Sequence, residues 1–148
     1  MDLFQVYSLL DMEPVKARGA YLWDRNGEEY LDFYGGHAVC GTRGWFYEED
    51  RGEHSAKIFN RELIRLETSL KAGGEREKIC FLHYPPIYQG YKCPEMLELL
   101  DKYEVERCYY GHLHGYTHRR AFEGMREKTE YALIAADYVA FQPVKICN

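Results

Sequence analysis

Hydrophobic and polar residues alternate loosely from Val15 to Trp23, and the run stops at Asp24-Arg25-Asn26-Gly27. Period-two alternation predicts a strand with one buried face. Asn-Gly between two apolar runs predicts a hairpin turn, because both residues tolerate positive φ. The return strand then covers Glu29 to Tyr34 and closes at Gly35-Gly36. Another strand covers His37 to Cys40 and runs into Gly41-Thr42-Arg43-Gly44-Trp45-Phe46, after which the polar stretch Glu48 to Glu53 reads as a surface loop. Near Ser55 the period changes. Phe59, Leu63, Leu66 and Leu70 recur at helical spacing among Arg61, Glu62, Arg65 and Glu67, and Gly73-Gly74 ends the helix. Lys78 to His83 is a short apolar run before Pro85-Pro86 and reads as a buried strand. Pro94 suits the first turn of a second helix, whose buried face is Met96, Leu97, Leu100 and Tyr103. Arg107 to Tyr110 reads as a strand ended by Gly111. The stretch Arg120 to Ile146 reads as three short strands with a turn at Glu127-Lys128-Thr129. From residue 40 the order β-α-β-α-β followed by strands predicts an α/β layered sheet with antiparallel strands at its end.

Composition narrows this picture. The 148 residues suffice for one domain with one core. With 46% hydrophobic and 29% charged residues the chain is globular rather than disordered. A net charge of -5 argues against non-specific nucleic-acid binding, which needs a basic surface. No apolar run approaches the roughly 20 residues that span a bilayer. Met1-Asp2-Leu3-Phe4-Gln5 lacks the basic start of a signal peptide, so a cytoplasmic location is expected. The five cysteines are odd in number and lack CxxC spacing, which disfavours a zinc knot and a disulfide framework. Cys80 and Cys108 lie in apolar runs and read as buried thiols. Of the 14 tyrosines, Tyr84, Tyr88, Tyr91, Tyr109, Tyr110 and Tyr116 flank histidines and read as core and rim packing.

The chemistry concentrates in His83 and in Gly111-His112-Leu113-His114. Both lie just past the C-terminal ends of two predicted strands joined by a helix, where open α/β sheets collect ligands. Histidines at i and i+2 of an extended chain point to one side, so three neutral imidazoles could converge on a metal. His37, His54 and His118 lack such context; His54 reads as a helix-start or loop residue and His118 as solvent-facing beside Arg119 and Arg120.

Residues 40–148 resemble the C-terminal part of bacterial calcineurin-like metallophosphoesterases. The resemblance rests on Cys40-Gly41-Thr42-Arg43-Gly44-Trp45, Ile58-Phe59-Asn60-Arg61-Glu62-Leu63, Phe81-Leu82-His83-Tyr84-Pro85-Pro86, Tyr109-Tyr110-Gly111-His112-Leu113-His114-Gly115 and Ala136-Asp137-Tyr138. It implies that His83 and His112 bind one metal and His114 a second, the ions being Mn, Fe or Zn. The implied reaction is hydrolysis of a phosphate ester by a metal-activated water. The family's DxH, GDxxD and GNHE or GNHD motifs have no counterpart here, which implies a partial sheet and a weak or inactive hydrolase.

Residues 1–39 resemble the extreme N-terminus of class III pyridoxal-phosphate aminotransferases, acetylornithine aminotransferase above all. The residues are Leu3-Phe4-Gln5-Val6-Tyr7, Val15-Lys16, Tyr21 to Gly27, Glu29-Tyr30-Leu31-Asp32 and Tyr34-Gly35-Gly36-His37-Ala38-Val39. That resemblance implies a small β-hairpin unit; the cofactor pocket and its lysine come later in the family, and Lys16 matches the hairpin. A fusion with its joint within His37 to Gly41 is therefore expected. The alternatives are an aminotransferase fragment and a non-catalytic metal-binding or interaction module. A phosphate ester is the expected substrate, and self-association or a complementing chain through exposed sheet surface is the expected partnership.

Overall fold

The computed structural model describes residues 14–18, 21–27, 29–31, 37–46 and 53–146. Two compact units divide the chain, Met1–Gly36 and His37–Asn148. In the first, β1 (Pro14–Arg18), β2 (Tyr21–Asp24) and β3 (Glu29–Leu31) form an antiparallel sheet in that order. The expected single strand from Val15 to Trp23 is thus two strands paired with each other, Arg18 opposite Tyr21. Arg25-Asn26 make the turn between β2 and β3, and Gly27 follows at a φ of 81°, which a side chain would strain. Tyr34 and Gly35-Gly36 lie outside the described residues.

The second unit is built on a five-stranded sheet. Its strands are β4 (Ala38–Thr42), β5 (Lys78–Leu82), β8 (Val105–Tyr110), β10 (Thr129–Leu133) and β9 (Gly124–Arg126). The first four run parallel, and β9 joins as an antiparallel hairpin with β10. This is the expected α/β class. A two-stranded hairpin of β6 (Ile87–Tyr88) and β7 (Tyr91–Lys92) was not foreseen. The expected third strand beyond Leu133 is absent among the described residues.

Helix α1 (Glu53–Ala72) crosses from β4 to β5, and α2 (Pro94–Lys102) from the small hairpin to β8. Pro94 stands in the first turn of α2, as its missing N–H allows. Leu66 and Leu70 of α1 and Met96, Leu97 and Leu100 of α2 are buried against one face of the sheet, with Cys40, Cys80, Cys108, Tyr110, Tyr131 and Leu133. Cys40, Cys80, Cys93 and Cys108 are free thiols, and the hydrogen bond of Cys80 with Cys108, followed by burial, pushes the Cys80 thiol upward in pKa. Burying an aliphatic side chain of this kind contributes about 1.5–3 kcal/mol, so these helices and the sheet hold each other.

Polar contacts fix α1 on β4. Ser69 Oγ accepts the Gly41 N–H at 3.0 Å, and Thr42 donates to Glu62 Oε2 at 2.6 Å. Glu62 is buried, and its other oxygen accepts from Arg65 at 2.8 Å. Gly41 is obligatory for another reason: a Cβ there would lie 2.0 Å from the Phe81 carbonyl oxygen. The outer face of the sheet is less covered. Val39 is 48% exposed, and Phe81 and Tyr109 are half-buried and stack on each other.

Candidate functional site

His83 directly follows β5, and Gly111 directly follows β8. The two strands are parallel neighbours, Leu82 beside Tyr110. Topology therefore brings His83 and His112 together, with ring centroids 5.2 Å apart. The Gly111 N–H donates to the carbonyls of Leu82 and His83, which ties the two strand ends. Aromatic rings wall His112: Tyr84 at 4.6 Å and Phe46 at 4.9 Å, both edge-on. Phe46 in turn stacks on Tyr84 and Tyr88.

His114 goes elsewhere. The expected same-side placement of His112 and His114 needs extended backbone. Instead His112 has a φ of 68°, and the Leu113 N–H bonds to the Gly111 carbonyl at 2.8 Å, making a tight turn. Leu113 is buried. The turn that buries it sends His114 toward a different group of donors.

That group is a triad of His114, His118 and Asp137. Asp137 Oδ1 lies 2.7 Å from His114 Nδ1, and Oδ2 accepts the Gly115 N–H at 2.9 Å. His118 Nε2 stands 3.1 Å from Oδ2, at ion-pair distance, while lacking an aligned hydrogen bond. His118 is carried by a 3₁₀ helix, Gly115–Arg120, and packs edge-on against Tyr138 at 5.1 Å. Tyr138 donates to Glu123 Oε2 at 2.6 Å. The Gly115 N–H and then the His114 ring hold the Asp137 carboxyl well below the usual carboxylate range. Its hydrogen bond to His114 is made when Nδ1 carries the proton. Such an array can orient an imidazole and relay a proton.

His118 is therefore not the solvent-facing residue its basic neighbours suggested; its side chain is 23% exposed against Asp137. Asp137 was visible only as part of Ala136-Asp137-Tyr138, with no role attached. Its partners lie 22 and 23 residues away, a separation that no local pattern reports. His37 has a context too, an ion pair with Glu77 at 2.8 Å. The side chain of His54 lies outside the described residues.

The expected metal set is not assembled. Among the described residues, the cluster with three donor atoms within 4.8 Å of one another is His114, His118 and Asp137, and it omits His83 and His112. Its members are exposed or half-exposed and already bonded to one another, so a cation would replace contacts rather than fill a prepared cage. Among the described residues, no helix is long and apolar enough to cross a membrane.

Comparison with known proteins points to another chemistry. The chain is 54% identical over 33 residues to the acetylornithine aminotransferase of Vibrio vulnificus, covering 22% of this chain and 8% of that protein. It is 32% identical over 88 residues to an acetylornithine/succinyldiaminopimelate aminotransferase of Yersinia pestis, covering 53% of this chain and 22% of that one. It is 30% identical over 115 residues to a succinylornithine transaminase of Citrobacter koseri, covering 71% of this chain and 27% of that one. The chain thus spans between 8% and 27% of the length of these relatives. No protein-family model matches, and no solved structure matches.

These relatives correct the expected function. A metal-dependent phosphoesterase, hydrolase or phosphatase is not what the chain is similar to, and Mn, Fe or Zn is not the cofactor its relatives imply. The histidine-rich strand ends gave a metal reading because HxH after a strand suits one; the left-handed turn at His112 sets His114 with His118 and Asp137 rather than with His112. The comparisons give no support to a phosphoesterase portion, and matches covering 53% and 71% of this chain run well past the expected joint near residue 39. The chain carries an acetylornithine aminotransferase-like segment.

Proposed function

We propose that this chain serves amino-group transfer on an ornithine-type substrate as the N-terminal contributor to an aminotransferase-type protein, without holding the reacting centre itself. The observation that carries the reading is the 54% identity over 33 residues to an acetylornithine aminotransferase. A three-stranded antiparallel sheet of such small size needs a neighbour for lasting stability, which suits a segment that docks on a larger body.

The cofactor that this family implies is pyridoxal phosphate, which would act as an electron sink once joined to a lysine. The described residues do not fit it. The buried lysine is Lys78, and its Nζ donates to the Arg76 carbonyl at the start of β5. The other described lysine side chains, at 57, 71, 92, 102, 128 and 145, are exposed, whereas a Schiff-base lysine is desolvated or set beside another cation. Titrating the chain alone with pyridoxal phosphate and following the Schiff-base absorbance tests this part. No specific band is expected; a stoichiometric band abolished by Lys78→Ala would overturn it.

A second reading is favoured by the open sheet face carrying Val39, Phe81 and Tyr109. Here the unit from His37 onward is an interaction module that covers this face with a second copy or a complementing chain. Sedimentation of the intact chain with Phe81→Lys as comparison tests it: loss of association in the variant supports the reading, and a monomer at every concentration contradicts it.

A further inference from the structure

A cleft of about 580 Å³ opens between the β6-β7 hairpin, the 3₁₀ helix and β9. Ligand pockets fall in the range of about 300–1,000 Å³, so a small organic molecule is the matching guest. The lining carries three cations, Lys92, Arg119 and Arg126, and no acidic residue. This runs against the chain's net charge of -5. Arg126 is partly neutralised by Asp101 at 2.9 Å. Among the described residues, Lys92 and Arg119 have no carboxylate at ion-pair distance. Arg119 lies over the Tyr116 ring at 5.9 Å, a contact that orients the guanidinium without neutralising it.

Apolar surface completes the cleft. Phe122 and Met125 form one wall, and Met125 is 63% exposed. The opposing walls are fastened together. The Gln89 N–H donates to the Arg120 carbonyl at 2.8 Å, Tyr88 bridges Ala121, and the Arg120 guanidinium sits 5.1 Å over the Tyr88 ring. The cleft is therefore preformed, and a guest need not order it.

We propose that this cleft binds a small organic anion with a flat apolar body. The anionic group pairs with Arg119 and Lys92, and the apolar body lies on Phe122 and Met125. The chemistry is shared by aromatic carboxylates and by nucleoside monophosphates. The inference is independent of the aminotransferase reading, since it uses no residue of β1 to β3.

The test uses the full chain, with 2-naphthoate and adenosine monophosphate as the two anionic probes and 2-naphthalenemethanol as the neutral one. Amide NMR shifts at Gln89, Ala121 and Phe122 report binding. At least one anion is expected to shift these amides, and the neutral probe is expected to bind at least about tenfold more weakly, the effect of one lost charge-assisted hydrogen bond. Arg119→Glu is expected to weaken the anion by a similar factor at an unchanged melting temperature, with Arg119→Lys retaining most of it. Naphthoate alone shifting the amides identifies a carboxylate guest, and the nucleotide alone a phosphate guest. Equal binding of the neutral probe, indifference to Arg119→Glu, or shifts confined to other amides would each overturn the proposal.

Discussion

Replacing Gly41 by alanine probes the joint between β4, β5 and α1, on which the larger unit depends. The added Cβ would stand 2.0 Å from the Phe81 carbonyl oxygen and 3.0 Å from its carbon. Real Cβ atoms do not approach backbone oxygen below about 3 Å, so β4 must retreat by about 1 Å or twist. The φ of 154° at this position is also one that residues with a Cβ rarely adopt. Overpacking of this kind costs about 1–3 kcal/mol. The retreat also loosens the Gly41 N–H bond to Ser69 Oγ and the Thr42 bond to buried Glu62, at about 1 kcal/mol more. For a unit of this size each kcal/mol moves the melting temperature by about 3–5 °C. A fall of roughly 6–20 °C is therefore expected by calorimetry or circular dichroism. Val39→Ala, two residues away and 48% exposed, is the control and should move it by no more than about 3 °C. A Gly41→Ala shift as small as the control's would refute the close β4-β5 approach.

Three further predictions concern separate parts of the unit. Leu100→Ala empties a fully buried site on α2 and should cost about 2–5 kcal/mol in urea unfolding, with a value under about 1 kcal/mol contradicting the packing of α2 on the sheet. Glu67 accepts from Lys102 and Tyr103, each at 2.8 Å, and these bonds lower its carboxyl from the ordinary 4.5 to about 2. Its contribution is therefore complete above pH 4.5 and lost as pH falls toward 2, so Glu67→Gln should flatten the melting-temperature profile in that window. Asp137→Ala frees the Gly115 N–H and the His114 ring, and hydrogen exchange at Gly115 should quicken at least about threefold; unchanged exchange would mean that the carboxylate does not hold this turn.

Much of the fold was legible because its strongest signals are local. Leu66 and Leu70 lie on one helical stripe, Pro94 marks a helix start, and Asn26-Gly27 marks a turn; each appears where its pattern predicted. The break between Arg18 and Tyr21 was missed because Gly19-Ala20 offers no polar turn residue to interrupt the run. The β6-β7 hairpin was missed because its two-residue strands are too short to show a period. The pairing of His83 with His112 followed from parallel neighbouring strands. The departure of His114 did not, because it depends on one residue's φ at His112 and on burial of Leu113. Asp137 and His118 were illegible as a pair, since the 3₁₀ helix that presents His118 is set by contacts distant in sequence. The metal reading rested on residue types, whereas the turn at His112 sets His114 beside His118 and Asp137 while His83 and His112 stay together.

The chain carries an acetylornithine aminotransferase-like segment, and the proposal built on it is that the reacting centre lies in another chain. The most direct measurement is transamination of N-acetylornithine with a 2-oxo acid acceptor and pyridoxal phosphate, in three samples. One contains this chain alone, one an acetylornithine aminotransferase lacking its N-terminal segment, and one the mixture. The account predicts no turnover by the chain alone and turnover restored in the mixture well above the truncated enzyme. Turnover by the chain alone, or a mixture no more active than the truncated enzyme, would contradict it.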